Sequence, residues 1–100
     1  VYSGLIEKFK ISEEFESIDP KDIGVRKKMG IYFNEQTVLF IISQKSRVLI
    51  KDTVKFLEVY QKVKEFTNKA FKKKIIIIDS PLCSKAEKEL ENLKWEVKYE

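Results

Sequence analysis

Apolar residues recur along this chain with two different periods, and the switches between them mark out the elements. From Ser3 to Ser17, with Ile18 just beyond, Leu5, Ile6, Phe9, Phe15 and Ile18 fall roughly on one side of a helical wheel while Glu and Lys fill the rest, which predicts a first helix. Asp19-Pro20 stops it, because a residue before proline is pushed out of the helical region. After a polar connection over 19–28, Gly30-Ile31-Tyr32-Phe33 and Thr37 to Ile42 read as two strands joined by a turn at Asn34-Glu35. A second turn over 43–46 leads to Arg47-Val48-Leu49-Ile50-Lys51, whose branched side chains predict a third short strand.

Asp52 or Thr53 is then expected to cap a long helix with Phe56, Leu57, Val59, Tyr60, Val63, Phe66 and Ala70 as its apolar stripe. Four consecutive isoleucines, Ile75 to Ile78, predict a central strand buried on both faces and covered by helices. Asp79-Ser80-Pro81 ends that strand, and Ser84-Lys85-Ala86-Glu87 reads as a capping box opening a last helix to about Leu93. Trp95, Val97 and Tyr99 alternate with Glu96 and Lys98, the pattern of a half-buried closing strand. The expected order is α-β-β-β-α-β-α-β. Short turns imply antiparallel neighbours in the first part, and strand-helix-strand repeats imply parallel ones in the second. The fold class expected is α/β, a single domain over 1–100 built as a two- or three-layer sandwich with a mixed sheet.

Composition narrows the function classes. The chain has 100 residues, 43% of them hydrophobic and 36% charged, enough apolar material for one core. No apolar run approaches the roughly 18 residues of a membrane span, and no stretch resembles a secretory signal. With a single cysteine, Cys83, no internal disulfide forms. An intracellular, cytoplasmic protein is expected on these grounds. The absence of histidine removes His-based acid-base catalysis and His-ligated metals. Three glycines, Gly4, Gly24 and Gly30, do not make a phosphate-cradling loop, and no cofactor is expected.

The net charge of +4 conceals an asymmetry. Residues 1–22 carry net −3, residues 23–74 net +9, and residues 75–100 net −2. The basic clusters are Arg26-Lys27-Lys28, Lys45 with Arg47, and Lys72-Lys73-Lys74. Lys55, Lys62 and Lys69 are seven apart and form a row on a helix. Lysine-rich solvated surface is one account of these charges, and a face for a polyanion is the other. Asp79, just past the central strand, stands where α/β sheets collect ligands, though a polar residue also simply ends a strand there. Cys83 precedes the last helix, a position that lowers a thiol pKa, but no base accompanies it, so a structural thiol is the better reading. Tyr60 and Trp95 fall on core faces, whereas Tyr32 stands beside the basic stretch 26–28 and is the aromatic expected to be exposed.

Phosphodiester cleavage needs carboxylates on a divalent ion and a lysine beside them, which a strand reading acid-x-Lys delivers on one face. The expected third strand carries Lys51, but Leu49 holds the acid position. With this segment, the element order, the strand Ile75 to Ile78 and the helix beginning Ser84-Lys85-Ala86, the chain resembles the PD-(D/E)XK, or restriction-endonuclease-like, nuclease fold. The resemblance implies a helix, a three-stranded meander, a helix and a strand, with Lys51 matching the motif lysine. It implies the fold without the hydrolysis, since no acid lies in Thr37 to Ile42 and Glu35 falls in a turn. The jaw domain of the fifth subunit of archaeal and eukaryotic RNA polymerases, nuclease-like without cleaving, is similar to the stretch from Val48 onward.

The leading expectation is therefore a catalytically degenerate nuclease-like domain that binds DNA or RNA. Its candidate contacts are Arg26, Lys27, Lys28, Lys45, Arg47, Lys51, Lys72, Lys73 and Lys74, with no catalytic residue assigned beyond the candidates Lys51 and Asp79 and no metal ligands assigned. A second expectation is a protein-interaction module or homodimer, using the long helix or the edge strand 95–99. A third is a Mg²⁺-dependent nuclease with its acids from Glu35, Asp52 and Asp79.

Overall fold

The structure is a computed structural model that describes residues 15–25 and 29–99. Its elements are β1 (Glu16–Ile18), a 3-10 helix (Pro20–Ile23), β2 (Gly30–Phe33), β3 (Thr37–Ile42), α1 (Ile50–Thr67), β4 (Lys73–Ile78), α2 (Ser84–Asn92) and β5 (Trp95–Tyr99). The strands form one five-stranded sheet in the order β1-β2-β3-β4-β5. β1, β2 and β3 pair antiparallel, and β3, β4 and β5 pair parallel. The α/β class and the mixed sheet are as expected.

Local chemistry sets the turns. Asn34 Oδ1 accepts from the amides of Gln36 (2.9 Å) and Thr37 (2.7 Å), an Asx turn that returns β2 into β3. The carbonyl of Gln36 accepts from the amides of Lys72 and Lys73, which seats the start of β4 beside that turn. Asp19 Oδ1 accepts from Lys21 N at 3.0 Å and opens the 3-10 helix, and Gly24, at φ 75°, ends it.

Two expected elements are corrected. The helix expected over 3–17 has residues 3–14 outside the described part, and residues 16–18 are strand. They pair with Ile31 to Phe33, and Asp19 before the proline stays extended at φ −72°, ψ 124°. The strand expected at 47–51 is also absent. Val48 makes one parallel bridge to Leu82, and α1 begins at Ile50. Asp52 does not cap with its own backbone turn. Its Oδ2 accepts from Leu49 N at 2.9 Å, so the helix starts two residues ahead of it. A run of branched residues fits either a strand or a buried helix start, and here the sheet decides. β3 already pairs with β2 on one edge and with β4 on the other, from Thr37↔Lys73 to Ile42↔Ile78, leaving 47–51 no partner. The meander is thus 16–18, 30–33 and 37–42, and the order β-β-β-α-β-α-β survives with different segments in the first three places.

α1 buries Phe56, Val59, Tyr60 and Val63, but Phe66 is 57% exposed and Asn68, at φ 53°, ends the helix before Ala70. Lys69 therefore lies beyond the helix, and the lysine row 55, 62, 69 does not form on it. The N-cap of α2 is Cys83 with no side-chain cap hydrogen bond, so Ser84 is the first helical residue and the expected Ser84–Glu87 capping box does not form. Alternation divides the sheet into two faces. Val38, Phe40, Ile42, Ile76 and Ile78 pack with Phe56, Val59, Val63, Ala86 and Leu90, so both described helices cover one face. Leu39, Ile41, Ile75 and Ile77 are buried on the other with Phe15 and Tyr32 against them. The isoleucine strand is interior and buried on both sides, as its composition implies. The Cα radius of gyration is 12.5 Å, what a compact chain of this length requires.

Candidate nucleic-acid interface

β3 and β4 run parallel, so their carboxyl ends open on one edge of the sheet, and each leads into a helix. The two connections are tied together. Ser80 Oγ accepts from Gln44 N and donates to Gln44 O, both at 2.8 Å, and Asp79 N donates to Ile42 O at 2.7 Å. Val48 N donates to Pro81 O (2.8 Å) and Cys83 N to Val48 O (3.0 Å). These bonds set the N-terminus of α1 beside the N-terminus of α2, with the positive ends of both helix dipoles at the same edge.

Lys45, Arg47 and Lys51 are exposed on this edge, and Lys85 joins them from the first turn of α2. Three acids stand at the same edge: Asp52, buried with its carboxylate on Leu49 N, Asp79, exposed at the strand end, and Glu87, half-buried in the first turn of α2. The Cys83 thiol senses the same field. The amides of Ala86 and Lys85 lower its pKa, against some burial, and the charges of Arg47 and Lys85 lower it further. Cys83 is half-buried and has no neighbouring base in the sequence to draw on, consistent with a structural thiol.

The cluster at 72–74 lies elsewhere. It begins β4, so the six-residue strand separates it from the carboxyl edge by about 20 Å. Lys74 is half-buried. Its Nζ donates to Leu93 O at 2.6 Å and lies 5.3 and 5.6 Å from the ring centroids of Tyr60 and Trp95. Burial, and then the charge of Lys64, push its pKa down. Lys73 approaches Glu96 at 3.8 Å, and Glu96 also holds Lys98 at 3.7 Å. Lys72 is exposed. Nearby, a 370 Å³ pocket is lined by Phe15, Glu16, Phe33, Asn34, Glu35 and Lys69, an acidic lining that does not suit phosphate. Arg26, Lys27 and Lys28 lie outside the described residues. The basic middle of the chain is therefore not one described surface.

The catalytic candidates separate as well. Lys51 is in the first turn of a helix, so it and Leu49 no longer share a strand face. Glu35, in the β2–β3 turn, lies at the opposite end of β3 from Asp79, about 20 Å away. Asp52, buried in the first turn of α1, spends its carboxylate on the Leu49 amide, so the three acids do not converge. Among the described residues no three of His, Cys, Asp and Glu gather as a metal ion requires. Tyr60 and Trp95 are buried, and Tyr32, expected to be exposed, is half-buried against the second face. Lys85 was not a sequence candidate. Its signal is its place one residue into α2, on the edge at which every helix of a parallel strand-helix-strand repeat begins. The chain matches no known family, curated protein or solved structure.

Proposed function

We propose that this chain is a non-catalytic nucleic-acid-binding domain of PD-(D/E)XK-like architecture that meets phosphates along the carboxyl edge of its parallel strands. The observation that carries the reading is the convergence of Lys45, Arg47, Lys51 and Lys85 where the N-termini of α1 and α2 lie side by side. Cations supply the long-range attraction, and helix N-terminal amides favour anionic oxygens. The architecture is supported by the order β-β-β-α-β-α-β with an antiparallel meander leading the parallel part. The non-catalytic character is supported by β3, the third strand of that meander, which reads Thr37-Val38-Leu39-Phe40-Ile41-Ile42 and carries neither acid nor lysine.

The test is fluorescence anisotropy on duplex DNA, single-stranded DNA and RNA over a salt series with EDTA present. Replacing Lys45, Arg47 and Lys51 together by Ala should lower the log-log salt slope on duplex DNA by about 0.9 for each contact removed. The Lys72→Ala, Lys73→Ala double variant should keep the parental slope. Absence of binding at low salt, or a loss confined to the Lys72/Lys73 variant, refutes the carboxyl-edge reading. A second reading, an acidic protein partner at the same edge, is favoured by Leu49, Ile50 and Val54, exposed at 38%, 45% and 53% beside those cations. It takes precedence if all three nucleic acids fail to bind.

A further inference from the structure

We propose that β5 pairs antiparallel with β5 of a second copy of this chain, joining two five-stranded sheets into one of ten strands. This interface lies away from the carboxyl-edge cations and does not depend on nucleic-acid binding. The sheet order ends at β5, and among the described residues β5 pairs with β4 alone. Its outer edge is a row of backbone donors and acceptors about 17 Å long. The opposite edge is β1, only three residues long, and short edge strands resist pairing. β5 is five residues long and carries no proline to protect it.

The sequence of β5 is its own complement. A twofold axis through Val97 sets Trp95 opposite Tyr99, Glu96 opposite Lys98, and Val97 opposite its own copy. Glu96 and Lys98 alternate onto the face away from the helices, so the axis generates two symmetry-related opposite-charge pairs. Trp95, Val97 and Tyr99 lie on the helix-covered face, where Trp95 and Val97 join the core and Tyr99 remains 45% exposed. Charge also selects the register. A slip of two residues sets Glu96 against Glu96, or Lys98 against Lys98, and like charges directly opposite oppose pairing. Among the described residues Glu96 makes loose ion pairs to Lys73 and Lys98, at 3.8 and 3.7 Å, and its side chain is 47% exposed, so its carboxylate is available to a partner's lysine. A twofold contact of this kind closes at two copies and leaves the β1 edges at the ends of the joined sheet.

The experiment is sedimentation equilibrium of the full chain at low and high salt, on the parent, Lys98→Glu, and the double reversal Glu96→Lys, Lys98→Glu, with circular dichroism confirming equal folding. The parent should show concentration-dependent dimer between about 1 µM and about 1 mM. Lys98→Glu converts both symmetry-related charge pairs to repulsive ones and should weaken the dimer about tenfold. The double reversal restores opposite charges in the same register and should return the dissociation constant to within about threefold of the parent. A strict monomer at every concentration, a dimer indifferent to Lys98→Glu, or failure of the double reversal to rescue overturns the proposal.

Discussion

Lys74 separates a phosphate-binding lysine from a packed one, and Lys74→Met tells them apart. Methionine keeps the stem that lies on Tyr60 and Trp95 and removes the charge. Two terms favour the charge: a charged hydrogen bond to Leu93 O, about 1.5–3 kcal/mol, and two ring contacts of about 0.5–1 kcal/mol each. Burial and the charge of Lys64 oppose it and lower the Lys74 pKa. Favourable and unfavourable terms offset one another, and Lys74→Met should lie within about 1 kcal/mol of the parent. Lys74→Ala, which also uncovers two rings, should lose about 1 kcal/mol more. The pH dependence carries the sign. The folded pKa of Lys74 lies below its unfolded value near 10.5, so between the two the unfolded chain holds the extra proton. Stability rises as pH climbs through that interval, and Lys74→Met abolishes the rise. Tyr60 works oppositely: burial raises its pKa above the ordinary 10.0, so its contribution is lost as pH rises past that value in parent and variant alike. Urea unfolding from neutral to alkaline pH measures both, and anisotropy measures binding. An unchanged pH profile, or a drop of about 0.9 in the salt slope for Lys74→Met, refutes the packing role.

Two further outcomes follow from the same structure. Ser80→Ala removes both bonds that tie Gln44 to the β4–α2 connection, so it should cost about 1–2 kcal/mol in urea unfolding. It should also weaken DNA binding while leaving the salt slope intact, since every cation remains. Lys94 is exposed at φ 71°, in the left-handed region that disfavours side chains. Lys94→Gly should therefore gain up to about 1 kcal/mol, read as a higher thermal midpoint, and a lower midpoint would show that the lysine side chain contributes more than its backbone costs.

Much of the sheet was legible because its signals are strong and local. Ile75 to Ile78 read as an interior strand because four consecutive β-branched residues, closed by Asp79-Ser80-Pro81, suit a strand buried on both faces. The Asn34 turn fixed β2 and β3, and the parallel pairing of β4 and β5 follows from the helix between them. What escaped was decided at a distance. Val48 to Ile50 has strand composition, but β4 occupies the edge it would need. Glu16 to Ile18 continues a helical pattern on paper, yet β2 offers it a partner across a long connection. Both errors are competitions for a sheet edge, which a single sequence does not display.

The same competition decides where the charges go. A parallel strand-helix-strand unit sends the chain up a strand and back down a helix. Residues entering a helix therefore stand at the carboxyl edge, and residues entering the next strand stand at the amino edge. Lys45, Arg47 and Lys51 precede or open α1, while Lys72 to Lys74 precede or open β4, so α1 carries the two clusters to opposite ends of the sheet. Lys85 opens α2 and returns to the first end, although 34 residues of chain separate it from Lys51. A basic stretch along such a chain folds into alternating edges, and charge becomes concentrated only where successive helices begin. On the proposed reading, the sequence positions that add to a phosphate-binding edge are those at helix entrances, and the length of the basic segment between them is incidental.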